Sequence, residues 1–527
     1  MGTLLLYGGR VIDGSGAPGY FADVRIEDGK ISALGKNGDL SADQRIDCTG
    51  LTVTPGFIDI HRHGDAAAFR PNYGVAELAQ GLTTVVNGNC GFSAAPFGKT
   101  NAPAIRRYLT PVTGELPDEV PSESLADYFA ALPPSPVHQG MLVGAGTLRA
   151  DVAGYELLHM SDEQYRQFHR RLESALAAGA LGVSLGMGYA PDCFYTTEEL
   201  CRALAPFAGG TIPLTVHMRW EGDGVCDSIR EMIAVAERLR CPLEISHLKA
   251  MGRKNWGTKI PEALALLEQA RDRGLDVGCD VYPYTAGSTQ LLHILPPDYL
   301  AGGLEQTLSR LSSPSCRREL AKRLKSGEGF DNIAALAGWD GIRLTSLYRP
   351  ENQRYLGKTV TEIAGEMGLS PLDACCELLV QEKGRITMID TMASEADIAA
   401  ILQSDLSCVI SDSIYPTAGM LHPRVYGTFP RILAHFVREK KVLTLEQAVG
   451  KMTAVPAKVL RLKTKGRIAP GMDADLCVFD PAMIHETATY AEPCQLAKGM
   501  RYVLVNGKIA LQNGTFVGEM AGKVVKR

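Results

Sequence analysis

From about residue 56 to 460 the sequence alternates short apolar runs with segments of helical period, and no other feature constrains the fold as tightly. The runs are Gly56–Ile60, Thr83–Val86, Met141–Gly144, Ala180–Leu185, Ile212–Val216, Pro242–Ile245, Leu275–Val281 and Leu406–Ile410. Helical candidates fall between them, among them Tyr165–Ala178, Asp227–Leu239 and Glu262–Arg273. Eight strands alternating with helices predict an α/β fold, a parallel (β/α)8 TIM-type barrel spanning 56–460. Over 293–355 the alternation breaks into Pro-rich and charged helical segments. That stretch reads as an insertion after a late barrel strand, where a lid would sit.

The two ends of the chain carry a different pattern. Residues 1–55 hold short strand-like runs, Leu4–Tyr7, Arg10–Ile12, Ala22–Glu27 and Lys30–Leu34, broken by Gly-rich or Asp-Gly turns. Residues 461–527 repeat the pattern with Asp475–Phe479, Tyr502–Val505 and Lys508–Leu511, the last two joined by the hairpin dipeptide Asn506-Gly507. Neither set can bury a face alone. Together they are expected to form one small β-sandwich domain beside the barrel.

Bulk properties exclude several classes of function. Apolar residues make up 45% of the chain, enough for a large core, and the net charge is only −5 with 54 basic against 59 acidic residues. No long single-sign run occurs, so neither nucleic acid nor an anionic membrane surface is an expected partner. The apolar run Leu4–Tyr7 is too short for a secretory signal, no long apolar stretch follows, and Leu6 stands where a myristoylation signal needs Ser or Thr. The 13 cysteines are odd in number and scattered, which points to reduced thiols in a cytoplasmic protein. Oligomeric state is open, a homo-oligomer included.

The chemistry is concentrated where the apolar runs end. In the segment from Thr54 to His63 a strand period of two puts Phe57, Asp59, His61 and His63 on one face. Two imidazoles so placed can chelate one metal ion, although a lone His-x-His pair is also a common accident. Here it is not alone. The following runs end at Cys90, His217, His247 and Asp412, so metal-ligand residue types stand at five strand ends. In a barrel those ends open on one face, where active sites form. Most buried cysteines are merely small hydrophobes, but a thiolate with two imidazoles is a sound zinc set that leaves a position for water. A carboxylate beside it, Asp412, suits a proton shuttle, since zinc lowers the pKa of its water to about 7.

The order His-x-His, strand-end Cys, His, His and Asp resembles the amidohydrolase superfamily, and local stretches resemble its N-acyl-D-amino-acid deacylase (D-aminoacylase) branch. They are Gly81 to Gly91, His217 to Asp223, Ser246 to Lys249 with Asn255 to Gly257, Asp280 to Thr289, His422 to Arg431 and Gly466 to Leu476. The resemblance spans nearly the whole chain. It implies that Cys90, His217 and His247 hold a tightly bound zinc, and that His61, His63 and Asp412 form a weaker second metal position. It makes Asp412 the general acid and base as well. By the same resemblance Lys249, Tyr282, Ser288 and Arg424 grip the substrate's carboxylate, and the expected reaction is hydrolysis of N-acyl-D-amino acids, small molecules, to a carboxylate and a free D-amino acid. Guanidinium and ammonium groups are what a carboxylate ligand needs.

Four positions depart from the family pattern: Arg62 and Gly64 around the paired histidines, Ala145 where many relatives have His, and Ser413 after the shuttle Asp. The substrate side chain should face Thr289 to Leu295, including His293. That segment has no Lys or Arg to pair with an acidic group, so neutral or apolar side chains are expected. No lysine lies between Lys99 and Lys249, so the carboxylated lysine common in hydantoinases and dihydroorotases has no place here. Dipeptides or other cyclic amides remain alternative substrates. A non-catalytic scaffold is the alternative of a different class, and it would bind no zinc.

Overall fold

The computed structural model describes residues 2–36, 38–156, 158–327 and 329–527. At its centre eight strands run parallel in chain order: β1 (Phe57–Asp59), β2 (Leu82–Asn87), β3 (His138–Met141, resumed at Val143–Gly144), β4 (Val183–Gly186), β5 (Leu214–His217), β6 (Leu243–Ile245), β7 (Val277–Val281) and β8 (Ser407–Val409). Each pairs in parallel with the next, and β3 joins the β2 side to the β4 side across Leu142. The ring closes beyond β8 by a parallel bridge of Arg62 to Ser413. All eight apolar runs read from the sequence fall on these strands. They are buried almost throughout because both faces are covered, one by the barrel interior and one by helices.

The helices obey the same economy of burial. Asp162–Ala177 starts at a capping box of Ser161 and Gln164, which satisfies two backbone donors at the helix start. Its buried residues, Tyr165, Phe168, Leu172 and Ala175, are spaced by three and four, one stripe facing the barrel.

Between β7 and β8 the alternation is interrupted by a three-stranded antiparallel sheet. Its strands are Ala286–Gln290 at one edge, Thr387–Thr391 in the middle and Ile342–Leu344 at the other edge. Helices Gly303–Ser312, Pro314–Ser326, Val360–Met367 and Pro371–Gln381 fill the connections. The interruption therefore reaches from Ala286 to Thr391, wider on both sides than the 293–355 stretch marked by composition.

Both chain ends meet in one seven-stranded sheet, where Thr52–Pro55 pairs antiparallel with Leu476–Phe479. A second sheet, from Leu4–Tyr7, Asp23–Glu27, Lys30–Gly35 and Gln44–Asp47, packs on it over a core that includes Leu4, Leu6, Val24, Val53, Leu476 and Leu504. Asn506 and Gly507 both take positive φ, as the tight hairpin requires. The C-terminal tail then lies along the start of β3, with Gln139 N–H donating to Lys523 O at 3.0 Å.

His138 opens β3 and anchors this β-domain. Its Nε2 is 3.0 Å from Asp475 Oδ1, and Lys465 Nζ is 2.5 Å from Asp475 Oδ2. Burial opposes ionisation of Asp475, but His138, Lys465 and the Asn506 N–H outweigh it and hold the carboxyl well below its usual range. A carboxyl depressed in the folded state stabilises above its unfolded value of about 3.9 and loses that contribution as pH falls towards the folded value. Asp475→Asn should therefore cost ~3 kcal/mol or more near pH 7. In melting curves the gap from wild type should narrow below about pH 4; a gap independent of pH would refute this account.

Candidate metal centre

The strand ends at the C-terminal face of the barrel converge on a buried cluster of imidazoles, a thiol and carboxylates. His61 and His63 follow β1 and are 0% and 2% exposed. Arg62 points away from the cluster, to Glu77, to Asp59 Oδ2 at 3.6 Å and over the Tyr415 ring at 5.5 Å, so Asp59 turns towards Arg62 and Ser411 and does not share the face of the paired histidines that the period of two gave it. The family departure at this position thus leaves the paired histidines free and serves packing behind them. Gly64 fits the same arrangement, because a Cβ there would lie 2.7 Å from Tyr73 Oη and 2.9 Å from Asn87 Oδ1. Ser413 donates to Ser411 Oγ at 2.8 Å, and Ser411 in turn donates to Asp59. Ala145 is fully buried at the start of helix Ala145–Ala153 and brings no polar group.

Cys90 sits on a turn after β2 that is fastened on both sides. Asn89 Nδ2 donates to Ile60 O at 3.2 Å, and Gly91 N–H donates to Ser184 Oγ at 3.1 Å. Gly186 permits the approach, since a Cβ there would lie 2.1 Å from Cys90 O. Cys90, His247 and Asp412 all adopt left-handed backbone, with φ of 53°, 37° and 50°. Non-glycine residues held in that region carry strain, and such strain gathers at functional sites.

Three overlapping triads have their ligand atoms within 4.8 Å of one another: His61, Cys90 and His247; His61, His63 and Asp412; His217, Glu221 and His247. The six residues expected to ligate metal are therefore in one cluster, with Glu221 added. Cys90 Sγ is 3.3 Å from His61 Nε2 and 3.5 Å from His247 Nε2, and His217 Nδ1 is 2.9 Å from His247 Nε2. Burial would strip protons from these rings, yet the Cys90 thiolate and Asp280 push His61 well above its ordinary value. For His247 burial and Lys249 oppose the proton, and Glu221 and Cys90 still carry it to about 9. Burial likewise opposes the Cys90 thiolate, but His61 and His247 bring its pKa well below 9. The surrounding anions thus call for positive charge at the centre of the cluster, and the donors are those of a zinc site. In this respect the residues present fit a divalent metal.

Around the cluster lie groups the sequence reading did not assign. Asp280, near the end of β7, places Oδ2 3.3 Å from His61 Nδ1, orienting that ring as outer carboxylates of metal sites do, and accepts the His247 backbone N–H. Its strand-end position is the signal that also marked Asp412. Glu221 Oε1 is 2.6 Å from Lys249 Nζ and 3.0 Å from His247 Nδ1. Asp331, from the insertion, accepts the backbone N–H groups of Glu221 and Gly222. No periodicity marks Asp331, because its contact is to backbone across 110 residues.

The expected substrate-binding residues also gather here. Lys249, Tyr282, Ser288 and His293 line the cavity that exposes His63, Cys90, His217, His247 and Asp412. His293 rests on the Tyr189 ring at 4.5 Å, and burial together with nearby His217 lowers its pKa to about 3, so it is neutral. Arg424 stands behind the cavity, fully buried, with Nη1 2.9 Å from Asp412 Oδ2 and Nη2 donating to Ser288 O at 3.0 Å.

A parallel barrel with a cluster of histidine, cysteine and carboxylate side chains able to hold metal at its C-terminal face is an architecture suited to a metal-dependent hydrolase. The amidohydrolase family matches residues 44–295 and 360–511, and the chain belongs to that family. It is 36% identical to a D-aminoacylase of Alcaligenes xylosoxydans xylosoxydans, over 99% of this chain and 97% of that one. A solved D-aminoacylase described for its binuclear metal centre, with one-metal activation and second-metal attenuation, superimposes with a TM-score of 0.83 at 34% identity, covering 99% of both chains. An N-acyl-D-glutamate deacylase from Bordetella bronchiseptica, complexed with zinc and a phosphonate mimic of the tetrahedral intermediate, has a TM-score of 0.83 at 31% identity, again covering 99% of both.

Glu221→Leu would strand the buried Lys249 ammonium, whose side chain is 6% exposed. Removing one partner of such a pair costs about 3–5 kcal/mol, whereas replacing both by apolar groups is often neutral. Chemical unfolding of Glu221→Leu, Lys249→Met and the double variant should show the double variant more stable than Glu221→Leu. Strictly additive losses would show the two residues to be uncoupled.

Proposed function

We propose that this protein hydrolyses the amide bond of N-acyl-D-amino acids, in a cytoplasmic setting, with one tightly bound zinc and a weaker second position. The observation that carries the reading is the placement of Asp412. Its Oδ1 is 3.3 Å from His63 Nε2 and 3.5 Å from His61 Nε2, while Oδ2 meets Arg424. One carboxylate thus touches both the metal-ligand pair and a cation suited to the substrate's carboxylate.

Cys90, His217 and His247 would hold the tight zinc, with His61, His63 and Asp412 around the second position. Bound there, zinc supplies Lewis acidity towards a water molecule and the acyl carbonyl. Burial disfavours the Asp412 carboxylate, but Arg424 and the imidazoles hold its pKa well below the usual value, so it is ionised and able to accept the water's proton. It then returns that proton to the departing nitrogen. Tyr282 and Ser288 line the cavity beside Arg424 and Lys249 lines it beside Glu221, and together they would orient the substrate by its carboxylate. Phe92, Val112, Tyr189 and Ile414 line the same cavity, in keeping with neutral or apolar side chains.

Amine release from paired D- and L-isomers of N-acetyl-leucine, -methionine, -glutamate and -serine tests the reading, with zinc measured in the same preparation. We expect release from D-isomers alone, with about one zinc per chain. No release despite bound zinc would redirect the search to dipeptides or cyclic amides, and absence of zinc would favour a scaffold. Asp412→Asn should keep its zinc and lose at least about a hundredfold in kcat. Cys90→Ala should lose zinc itself, and a variant that retains a full equivalent would remove Cys90 from the tight site.

A further inference from the structure

The catalytic cavity does not end at the metal cluster. Three of its lining residues, His217, Glu221 and His293, also line a second cavity of about 150 Å3. That cavity in turn has Trp220, Phe330 and Asp331 in common with a groove of about 800 Å3, whose rim carries the exposed Arg253, Lys254 and Lys325. The three spaces therefore lie in series from the metal ligands to the protein surface. The segments after β4, β5 and β6 supply one wall, and the insertion supplies the other through Phe330, Asp331 and Ile333.

A glycine keeps the junction beside the metal site open. Gly188 lines the second cavity, and a Cβ there would lie 2.8 Å from His217 Nε2 and 3.0 Å from His293 Cε1, the two rings that border both spaces. Any side chain at that position would crowd the doorway. Beyond it the wall is mostly apolar, with Met187, Met218, Met251, Leu295, Phe330 and Ile333. Methionines adapt to irregular apolar shapes, and an apolar cavity of this volume takes a benzene-sized group. The charged groups of the wall are already committed. Arg219 is held by Glu231 and by the carbonyls of Cys193 and Tyr195, Glu221 by Lys249, and Asp331 by the backbone N–H groups of Glu221 and Gly222. A charge entering here would go unmatched.

The doorway also tells which half of the substrate enters. Glu221 holds Lys249, one of the cations suited to the substrate's carboxylate. His293 lies just beyond Ser288 and Thr289 along the chain, and all three line the catalytic cavity. Both doorway residues thus stand beside the amino-acid half. We propose that the three spaces form an open-ended passage for the substrate's side chain, so that the protein accepts N-acyl-D-amino acids with long, unbranched, apolar side chains and sets no upper limit on their length. This rests on the deacylase reading above and narrows it to a substrate class.

The test measures kcat/KM of the zinc-loaded enzyme on N-acetylated D-alanine, D-norleucine, D-α-aminooctanoate and D-α-aminodecanoate. The value should rise from alanine to norleucine and then stay within about tenfold as the chain lengthens. In a closed pocket a single surplus methylene costs about tenfold or more, so a larger fall beyond norleucine would overturn the inference. A parallel series lengthens the acyl group on D-norleucine from acetyl to octanoyl. Length tolerance there, with a cutoff in the side-chain series, would put the acyl chain in the passage and refute the assignment. Ile333→Trp narrows the passage from the insertion and Gly188→Ala narrows the doorway. Each should lower the ratio of aminodecanoate to alanine at least about tenfold, with melting curves and zinc content recorded alongside. Folded, zinc-loaded variants with unchanged ratios would count against the passage, and the wild-type series decides the matter without them. These outcomes spare the deacylase reading. Zinc-loaded wild type that cleaves no member of either series would sink both.

Discussion

Two backbone hydrogen bonds hold the seam where the last barrel strand meets the first, Asp412 N–H to His61 O and His63 N–H to Ser413 O, each 2.9 Å. They do more than close a cylinder. Together with the Ser411 contacts to Asp59, they join His61 and His63 at the start of the barrel to Asp412 at its end, some 350 residues away. The seam fixes their distance through the backbone, which is stiffer than any side-chain contact between them. The left-handed φ at Asp412 then turns its carboxylate back across the seam towards the imidazoles. The His61, His63 and Asp412 part of the cluster inherits its geometry from this closure.

Once assembled, the cluster poses an electrostatic problem. Imidazoles, a thiolate, carboxylates, an ammonium and a guanidinium lie almost fully out of water, where an unmatched charge is very costly. The structure matches them in short chains: Asp280 with His61, Glu221 with Lys249 and His247, Asp412 with Arg424. Such networks are cooperative, and a half-satisfied one is worse than none. This gives the insertion a part in the arrangement. Through Asp331 it fixes the backbone of Glu221, and through the edge strand carrying Ser288 it holds Arg424. The segment that interrupts the barrel thus sets the side chains that surround the metal cluster.

The barrel was legible because a strand buried on both faces leaves an unbroken apolar run, and all eight such runs are strands. The ligand candidates were legible because their residue types recur at the ends of those runs. Asp280 was equally well placed, but one carboxylate at a strand end gives no sign of which ring it will face. Asp331 was out of reach for another reason. It lies in the insertion, where strands such as Ala286–Gln290 are short and polar and carry no period that distinguishes them from loop. Arg62 departs from the family pattern between the paired histidines, and it leaves them undisturbed because it faces Glu77 and Asp59 away from the cluster.

The sheet shared by the two chain ends has a consequence in time as well as in space. The strand Thr52–Pro55 finds its antiparallel partner only in Leu476–Phe479, about 420 residues later. At about 5–20 residues per second, a ribosome takes roughly 20–80 s to deliver that partner. Throughout that interval the barrel can gather strand by strand, while the edge of Thr52–Pro55 waits exposed. Such an unpaired edge is a template for the wrong chain. Covering the free edge of Thr52–Pro55 during synthesis would guard the chain against that mispairing until Leu476–Phe479 arrives.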